Sequence, residues 1–191
     1  MSEALEAAWL EAGWGPRRAS PLADHDPPLL FSLRWPGAWQ VDELQGGEDG
    51  PPSAESALDR LRAWDRVPVA IATQRVRLAL TRDGAPDMVL LGALSASLAD
   101  VGEPPPVTEM GDDAVAVTGG HYPGLRVRSL RAAALGDAGP YVEMRVVRFM
   151  LTTPYGLLGL AFTALAPEFF DVMEAMFDSV AQTVRLDPCA L

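Results

Sequence analysis

The clearest hydrophobic pattern in the chain lies in residues 153–184, TPYGLLGLAFTALAPEFFDVMEAMFDSVAQTV. Its first part is an apolar run of strand length, which predicts a β-strand over residues 155–165. Its second part has apolar residues at helical spacing, with Pro167 in the first turn and Pro188 after the end. This spacing predicts an amphipathic helix with one apolar stripe, formed by Phe169, Met173, Met176, Phe177, Val180 and Val184.

The region before this helix is rich in strand patterns. Alternating or continuous apolar runs of strand length predict strands over residues 87–101, 114–119, 124–135, 141–154 and 155–165. The segments between them are too short for crossover helices, so the strands are expected to form an antiparallel meander.

Residues 67–82, VPVAIATQRVRLALTR, fit two structures. As a helix, the segment has Pro68 in its first turn and Gly84 with Pro86 as its stop. As a strand, RVRLALT alternates with period 2, and Asp83-Gly84 would form a tight hairpin turn. The helix is favoured because its start and stop signals agree with each other, and the hairpin remains open.

The front of the chain has fewer signals. Helices are predicted over residues 2–13 and 54–64, a strand over 29–36, and an exposed acidic loop over 42–55. The length of 191 residues fits one domain. We therefore expect a single α+β domain over residues 29–191, preceded by a helix and a Pro-rich extension over residues 1–28.

Composition narrows the possible functions. The net charge of −11 argues against nucleic acid and against anionic membrane surfaces as partners. All 15 basic residues are arginine, which is typical of a GC-rich bacterial genome. The start of the chain lacks a signal-peptide pattern and no apolar run is long enough for a membrane span, so a cytoplasmic protein is expected.

Few residues are typical of catalytic or metal sites. Cys189 is the single cysteine, which excludes an internal disulfide and a cysteine-based zinc site. The two histidines, His25 and His121, lack ligands at metal spacing, and no cofactor motif is present, so no metal or cofactor is expected. An alternative is a ligand cleft between sheet and helix, lined by His121, Tyr122 and Glu143.

Three arginines on one predicted strand, Arg126, Arg128 and Arg131, form a small cationic stretch. Pairing with Glu143 on the next strand is the favoured interpretation, because opposite charges across strands stabilise a sheet. Binding of an anion or an acidic peptide is the alternative.

All five tryptophans lie in the first third of the chain. Core packing is the favoured interpretation, since large aromatic side chains dominate protein cores. The alternative is that some of them anchor a protein partner, because tryptophan is enriched at binding hot spots. The candidate contact surface is the N-terminal helix with the edge around residues 35–39, and its candidate residues are Trp9, Trp14, Trp35 and Trp39.

Several segments together resemble the PsbP-like, or Mog-type, superfamily and actinobacterial LpqN-like proteins. These segments are FSLRWPGAW, GLRVRSL, YVEMRVVRFMLTTPYGLLGLAFTAL and APEFFDVMEAMFDSVAQTVR, and the resemblance covers residues 29–186. It implies an α/β/α sandwich, in which an antiparallel sheet of about five to six strands packs with helices. It also implies a role in binding, assembly or chaperoning, and it carries over no catalytic residue.

The sequence thus predicts a non-enzymatic protein-binding module of the bacterial cytoplasm, such as an adaptor, chaperone or assembly factor. Two alternatives stay open. One is a small-molecule-binding protein or enzyme with a cleft near His121. The other is a structural homodimer closed through an exposed edge strand, so the protein is expected to be a monomer or a homodimer.

Overall fold

The computed structural model describes residues 13–22, 25–43, 69–82, 85–99, 114–134, 141–164 and 169–189. These residues contain ten strands and one helix. In chain order the elements are β1 Trp14–Leu22, β2 Leu29–Pro36, β3 Gln40–Glu43, β4 Val69–Arg82, β5 Ala85–Ala99, β6 Ala114–Gly119, β7 Tyr122–Ala134, β8 Tyr141–Thr153, β9 Gly156–Ala164, α1 Phe170–Ala181 and β10 Arg185–Pro188. The predicted helices over 2–13 and 54–64 lie outside the described residues.

The strands form two antiparallel sheets. One sheet has three strands in the order β1-β2-β10, and the other has seven in the order β3-β4-β5-β9-β8-β7-β6. The predicted meander is present from β6 to β9, and β5 pairs with the far side of β9. The expected α/β/α sandwich with five to six strands is therefore wrong, because the described part of the chain is mostly β-structure.

The helix favoured for residues 67–82 is also wrong, and the hairpin alternative is right. Residues 69–82 form β4, which pairs antiparallel with β5 up to the Arg82–Ala85 pair. Along β4, Gln74, Val76 and Leu78 are buried, whereas Arg75 and Arg77 between them are exposed. This alternation has the period of a strand and outweighs the flanking Pro and Gly signals, which suit a hairpin as well.

Two strands of the smaller sheet lack a clear hydrophobic pattern, so the sequence does not predict them. Strand β1 contains Pro16 and Pro21, and it tolerates them because it lies at an edge of its sheet. Strand β10 follows the helix closely and pairs with β2, so that Leu186 lies opposite Phe31. The predicted extension over residues 1–28 thus contributes β1 to the same sheet as β2 and β10.

The closing helix is confirmed, and its apolar stripe faces the core. Helix α1 packs on β2, β8 and β9, and its side chains Met173, Met176, Phe177 and Val180 are buried. The ring of Phe177 stacks on Phe162 of β9 at 4.9 Å between centroids. Phe149 and Trp35 meet Phe162 edge-on, so an aromatic cluster joins the helix to both sheets.

Candidate functional site

The predicted tryptophan surface is not a single surface. Trp35 is 2% exposed and Trp39 is 7% exposed, so both are core residues and the assignment of these two to a partner surface is wrong. Trp35 lies near the end of β2, where its Nε1 group donates to Gln74 Oε1 at 2.8 Å, and Trp39 lies in the connection between β2 and β3. Trp14 is 44% exposed. Trp9 lies outside the described residues.

The predicted cleft of His121, Tyr122 and Glu143 does not form either. His121 and Tyr122 lie at the turn between β6 and β7, whereas Glu143 of β8 pairs with Ala132 of β7. Ala132 is roughly 33 Å along the strand from Tyr122, at about 3.3 Å per residue. Glu143 is thus too far from the other two residues to share a ligand with them.

Tyr122 fastens the β6–β7 turn to β10. Its hydroxyl donates to the carbonyl of Leu186 and accepts from the N–H of the same residue, both at 3.1 Å. Burial raises the pKa of the Tyr122 hydroxyl, and the Asp187 charge raises it further, while the bond to Leu186 opposes the shift. The hydroxyl is therefore a neutral structural group that holds the turn in place.

The same turn borders an open groove of about 270 Å³, which we call the arginine groove. Four parts of the chain meet there: the start of β1, the end of β2, the β6–β7 turn, and the segment from α1 into β10. The groove is lined by Trp14, Arg17, Arg34, Gly120, His121, Gln182, Thr183, Val184 and Arg185.

A glycine allows the turn to approach this segment. Gly120 has φ +60, and a Cβ atom at this position would lie 2.3 Å from the carbonyl oxygen of Val184. The Gln182 side-chain amide also donates to the carbonyl of Thr118. The turn that carries His121 is thus held against residues 182–184 on two sides.

Strand register sets the three arginines on one face of the smaller sheet. Arg17 of β1 lies directly opposite Arg34 of β2, and Arg185 of β10 lies opposite Ser32, two residues before Arg34. Directly opposed residues and residues two positions apart share a sheet face. Antiparallel pairing therefore brings together three cations that are far apart in the sequence.

Thr183 organises two of these arginines. Its carbonyl accepts a hydrogen bond from Arg17 Nη1 at 2.8 Å, and Arg17 Nη1 also donates to Ser32 Oγ at 3.2 Å. The Thr183 hydroxyl accepts from the backbone N–H of Arg34 at 2.8 Å and lies 2.7 Å from the carbonyl of Val180. The half-buried Arg17 thus forms the floor of the groove, and the exposed Arg34 and Arg185 form its rim.

The cations of the groove repel one another. Burial lowers the pKa of the Arg17 guanidinium, and the charges of Arg185 and Arg34 lower it further. The Asp187 carboxylate raises it in part. Within the described residues, no carboxylate forms a salt bridge with any of the three arginines. The groove is therefore a local concentration of positive charge on a protein whose net charge is −11.

Arg126 and Arg128 of β7 differ, because their counterions come from α1. Arg128 Nε lies 2.5 Å from Glu174 Oε1, and Arg126 lies 3.4 Å from the same oxygen. Arg126 also binds Asp178 at 2.5 Å. The predicted pairing of these two arginines with Glu143 is thus wrong, since both lie on the sheet face that the helix covers. The side chains of Arg131 and Glu143 are not among those described.

Asp178 is affected by both its burial and its neighbours. Burial raises the pKa of its carboxyl, the charge of Arg126 lowers it, and the charge of Glu174 raises it. The net direction is upward. The Glu174 side chain is 5% exposed and serves two arginines, so it is the central anion of this network.

The described ranges contain neither a cluster of metal ligands nor a helix of membrane-spanning length and character. They contain no group of three or more His, Cys, Asp or Glu side chains arranged to hold a metal ion. His25 instead contacts the carbonyl of Pro27 at 2.8 Å and meets the ring of Tyr155 edge-on. Among the same residues, no helix has the length and apolar character that a membrane span requires.

Comparisons with known proteins add little to this geometry. No protein-family model matches the chain, and no curated protein matches it. A crystal structure of a protein from Bacteroides thetaiotaomicron is similar, with a TM-score of 0.49 and 14% sequence identity. The match covers 90% of this chain and 48% of that one. The resemblance to PsbP-like proteins stays a prediction.

Sequence reasoning found Trp14 and His121 but missed the three arginines that make the groove cationic. Arg17 is in a Pro-rich segment that was not recognised as a strand, and Arg185 is in a short strand after the helix. A sequence pattern that revealed the pairing of β1 and β10 with β2 would have predicted all three arginines on one sheet face.

Proposed function

We propose that the protein is a non-enzymatic binding module, serving as an adaptor, chaperone or assembly factor, that holds an acidic segment of a protein partner in the arginine groove. The observation that carries this proposal is the convergence of Arg17, Arg34 and Arg185 without a carboxylate partner among the described residues. An anionic ligand would relieve their mutual repulsion, because it brings opposite charge close to all three guanidinium groups.

The shape of the groove favours a protein segment over an enclosed metabolite. Pockets for small molecules usually have volumes of about 300–1,000 Å³ and bury most of the ligand. This groove has about 270 Å³, and most of its rim is exposed. It suits one or two side chains of a longer ligand that continues across the surface.

Trp14 adds an apolar contact beside the cations. It is a large exposed aromatic residue at the groove, and Trp and Arg are the residue types most enriched at binding hot spots. The combination suits an acidic segment that also carries an apolar or aromatic residue.

A small anionic metabolite is the second candidate ligand. The presence of His121 in the groove favours it, since an imidazole can donate a hydrogen bond to an anion beside the guanidinium groups. Such a ligand would bind without any flanking peptide, which separates the two candidates experimentally.

The test measures the binding of a fluorescein-labelled acidic peptide, rich in Glu and containing one Trp, by fluorescence anisotropy. The Arg34→Gln/Arg185→Gln double variant is expected to bind at least about tenfold more weakly than the wild type, because two charge-assisted contacts are lost. The matched control is Arg75→Gln/Arg77→Gln, which removes the same charge from exposed positions of β4.

Equal affinity of the wild type and the groove variant would contradict the proposal. An equal loss in the groove and control variants would reduce the effect to net charge and would contradict it as well. Binding that weakens with added salt in the wild type, and less steeply in the groove variant, would support direct contact with the two arginines.

A further inference from the structure

We infer that the arginine groove recognises a phosphoryl group on the acidic segment of the partner, with the three guanidinium groups as its ligands. This inference rests on the proposed function and names the chemistry of the group that occupies the site. It depends on the balance of charge, on the donors that remain available, and on the layout of the groove.

The balance of charge matches a dianion. Arg17, Arg34 and Arg185 contribute three positive charges, and Asp187 is the carboxylate that acts on Arg17. Among the described residues, three cations thus face one nearby carboxylate, which leaves a positive surplus at the site. A phosphoryl group carries about −1.5 to −2 at pH 7, whereas a carboxylate carries only one negative charge and would leave a surplus cation. A phosphoryl group would thus compensate more of this surplus than a carboxylate would.

The donors of Arg17 remain available for such a ligand. Both of its hydrogen bonds, to Thr183 and Ser32, use Nη1. They fix the guanidinium plane while Nε and Nη2 make no hydrogen bond to the other described residues. A fixed guanidinium with two adjacent free N–H groups is the arrangement that binds phosphate oxygens in a bidentate manner.

The layout places the three cations on the lining of one groove. Arg17 lies at the half-buried floor, and Arg34 and Arg185 stand at the exposed rim on the same sheet face. A tetrahedral phosphoryl group presents three terminal oxygens in different directions, so it can accept from the floor and the rim together. A planar carboxylate offers two oxygens and suits a single arginine fork better.

The phosphate backbone of a nucleic acid is the competing source of the same group. It is disfavoured here because the net charge of −11 opposes the long, regularly charged polymer. A single phosphorylated side chain needs only the local cations of the groove.

The test uses the full chain and three labelled peptides of one acidic sequence, which carry Ser, Asp or phosphoserine at the central position. The phosphoserine peptide is expected to bind at least about tenfold more tightly than the other two, because its phosphoryl group makes more charge-assisted hydrogen bonds. Arg185→Gln is expected to remove most of this preference, and Arg75→Gln serves as the control of equal charge. Circular dichroism verifies that each variant is folded.

Arg17→Lys separates the effect of charge from that of the guanidinium group, because it keeps the positive charge and removes the paired N–H donors. A loss of the phosphoserine preference in this variant would support recognition by the guanidinium. If the variant is unfolded, Arg34→Lys at the exposed rim replaces it. N-acetylphosphoserine amide and inorganic phosphate, used as competitors, separate a peptide-borne phosphoryl group from a free one.

Four outcomes decide the inference. A phosphoserine preference that depends on the groove arginines supports it. Equal binding of the three peptides, with dependence on the arginines, overturns the inference and leaves the proposed function standing. If inorganic phosphate competes as strongly as the phosphopeptide, the groove binds free phosphate, and the inference that a peptide carries the phosphoryl group is overturned. No binding of any peptide overturns both the inference and the proposed function.

Discussion

Two groups of arginines on this protein have opposite surroundings. Arg126 and Arg128 of β7 lie under helix α1 and receive their counterions from Glu174 and Asp178. The arginines of the groove lie on the smaller sheet, and no described carboxylate forms a salt bridge with them. The first group serves the fold, because its charges are compensated inside the chain. The second group has a charge surplus that no salt bridge within the described residues compensates.

The largest expected effect comes from the removal of the shared anion of the first group. Glu174→Gln leaves Arg126 and Arg128 without their common carboxylate at a site that is 4% exposed. The loss of one partner of a buried ion pair costs about 3–5 kcal/mol, and the exposure of Arg128 reduces this to about 2–3 kcal/mol. Urea unfolding measures it, with the exposed Asp171→Asn as control. A loss no larger than that of the control would contradict the assignment.

A somewhat smaller effect is expected at the glycine that shapes the groove. Gly120→Ala places a Cβ atom 2.3 Å from the carbonyl oxygen of Val184, at a residue with φ +60. The clash and the left-handed backbone together are expected to cost about 2 kcal/mol. Thermal unfolding gives the stability, and anisotropy with the acidic peptide gives the binding. Full stability together with wild-type binding would show that the turn is not set by this contact.

Substitution of a groove arginine should not lower the stability of the protein, in contrast to substitution of Glu174. Arg34→Gln removes one of two like charges that face each other across β1 and β2. Such a pair is destabilising by a few tenths of a kcal/mol, so the variant is expected to be as stable as the wild type or about 0.5 kcal/mol more stable. Phosphate stabilises folded proteins generally more than chloride does, because it is excluded from their surface. At matched ionic strength this advantage should be larger in the wild type than in the variant, since only the wild type keeps the full anion site. If Arg34→Gln were strongly destabilised, Arg34 would stabilise the fold, as Arg126 and Arg128 do, and the comparison between the two groups would fail.

The smallest expected effect concerns pH and Asp178. The pKa of its carboxyl in the folded protein is raised above its ordinary value of 3.8, chiefly by burial. The folded state therefore binds more protons than the unfolded state in the window that begins near pH 3.8 and ends at the raised pKa, and stability falls as pH rises through this window. Asp178→Asn should flatten this part of the profile.

At pH 7 the Asp178→Asn variant is expected to differ from the wild type by no more than about 0.5 kcal/mol, since the Asp178 side chain is 38% exposed and the ion pair is partly screened. Urea unfolding at pH 4, 5, 6 and 7 measures both effects. A stability that rises with pH across this window, and that the substitution abolishes, would contradict the direction of the shift.

The elements that were predicted correctly have a strong local period. Helix α1 has its apolar stripe, and β5 to β9 have apolar runs of strand length. The segment over 69–82 shows how weak competing signals mislead, because Pro68 and Gly84 suit a helix and a hairpin equally. The stronger evidence for a strand was the alternation with period 2, in which Gln74, Val76 and Leu78 are separated by Arg75 and Arg77.

The candidate site could be predicted only in part. Trp14 and His121 were singled out, one as an aromatic anchor and the other as a turn residue near a cleft. Arg17, Arg34 and Arg185 are separated by long stretches of chain, and β1 and β10 have no alternation that reveals them. The sequence suggests Glu143 both for the cleft with His121 and for pairing with Arg126 and Arg128, and the structure supports neither role. Glu143 pairs with Ala132, at the end of β7 that is distant from His121 and Tyr122.

The sequence by itself determined the local elements: the period-2 runs, the amphipathic helix and the acidic net charge are properties of neighbouring residues. The tertiary structure decided which arginines have counterions. Helix α1 covers the face of the larger sheet that carries Arg126 and Arg128, and it brings two carboxylates to them. The register of β1, β2 and β10 gathers three other arginines without a described carboxylate. Coulomb interactions act over distances of a few ångströms in space, so chain separation does not reveal them.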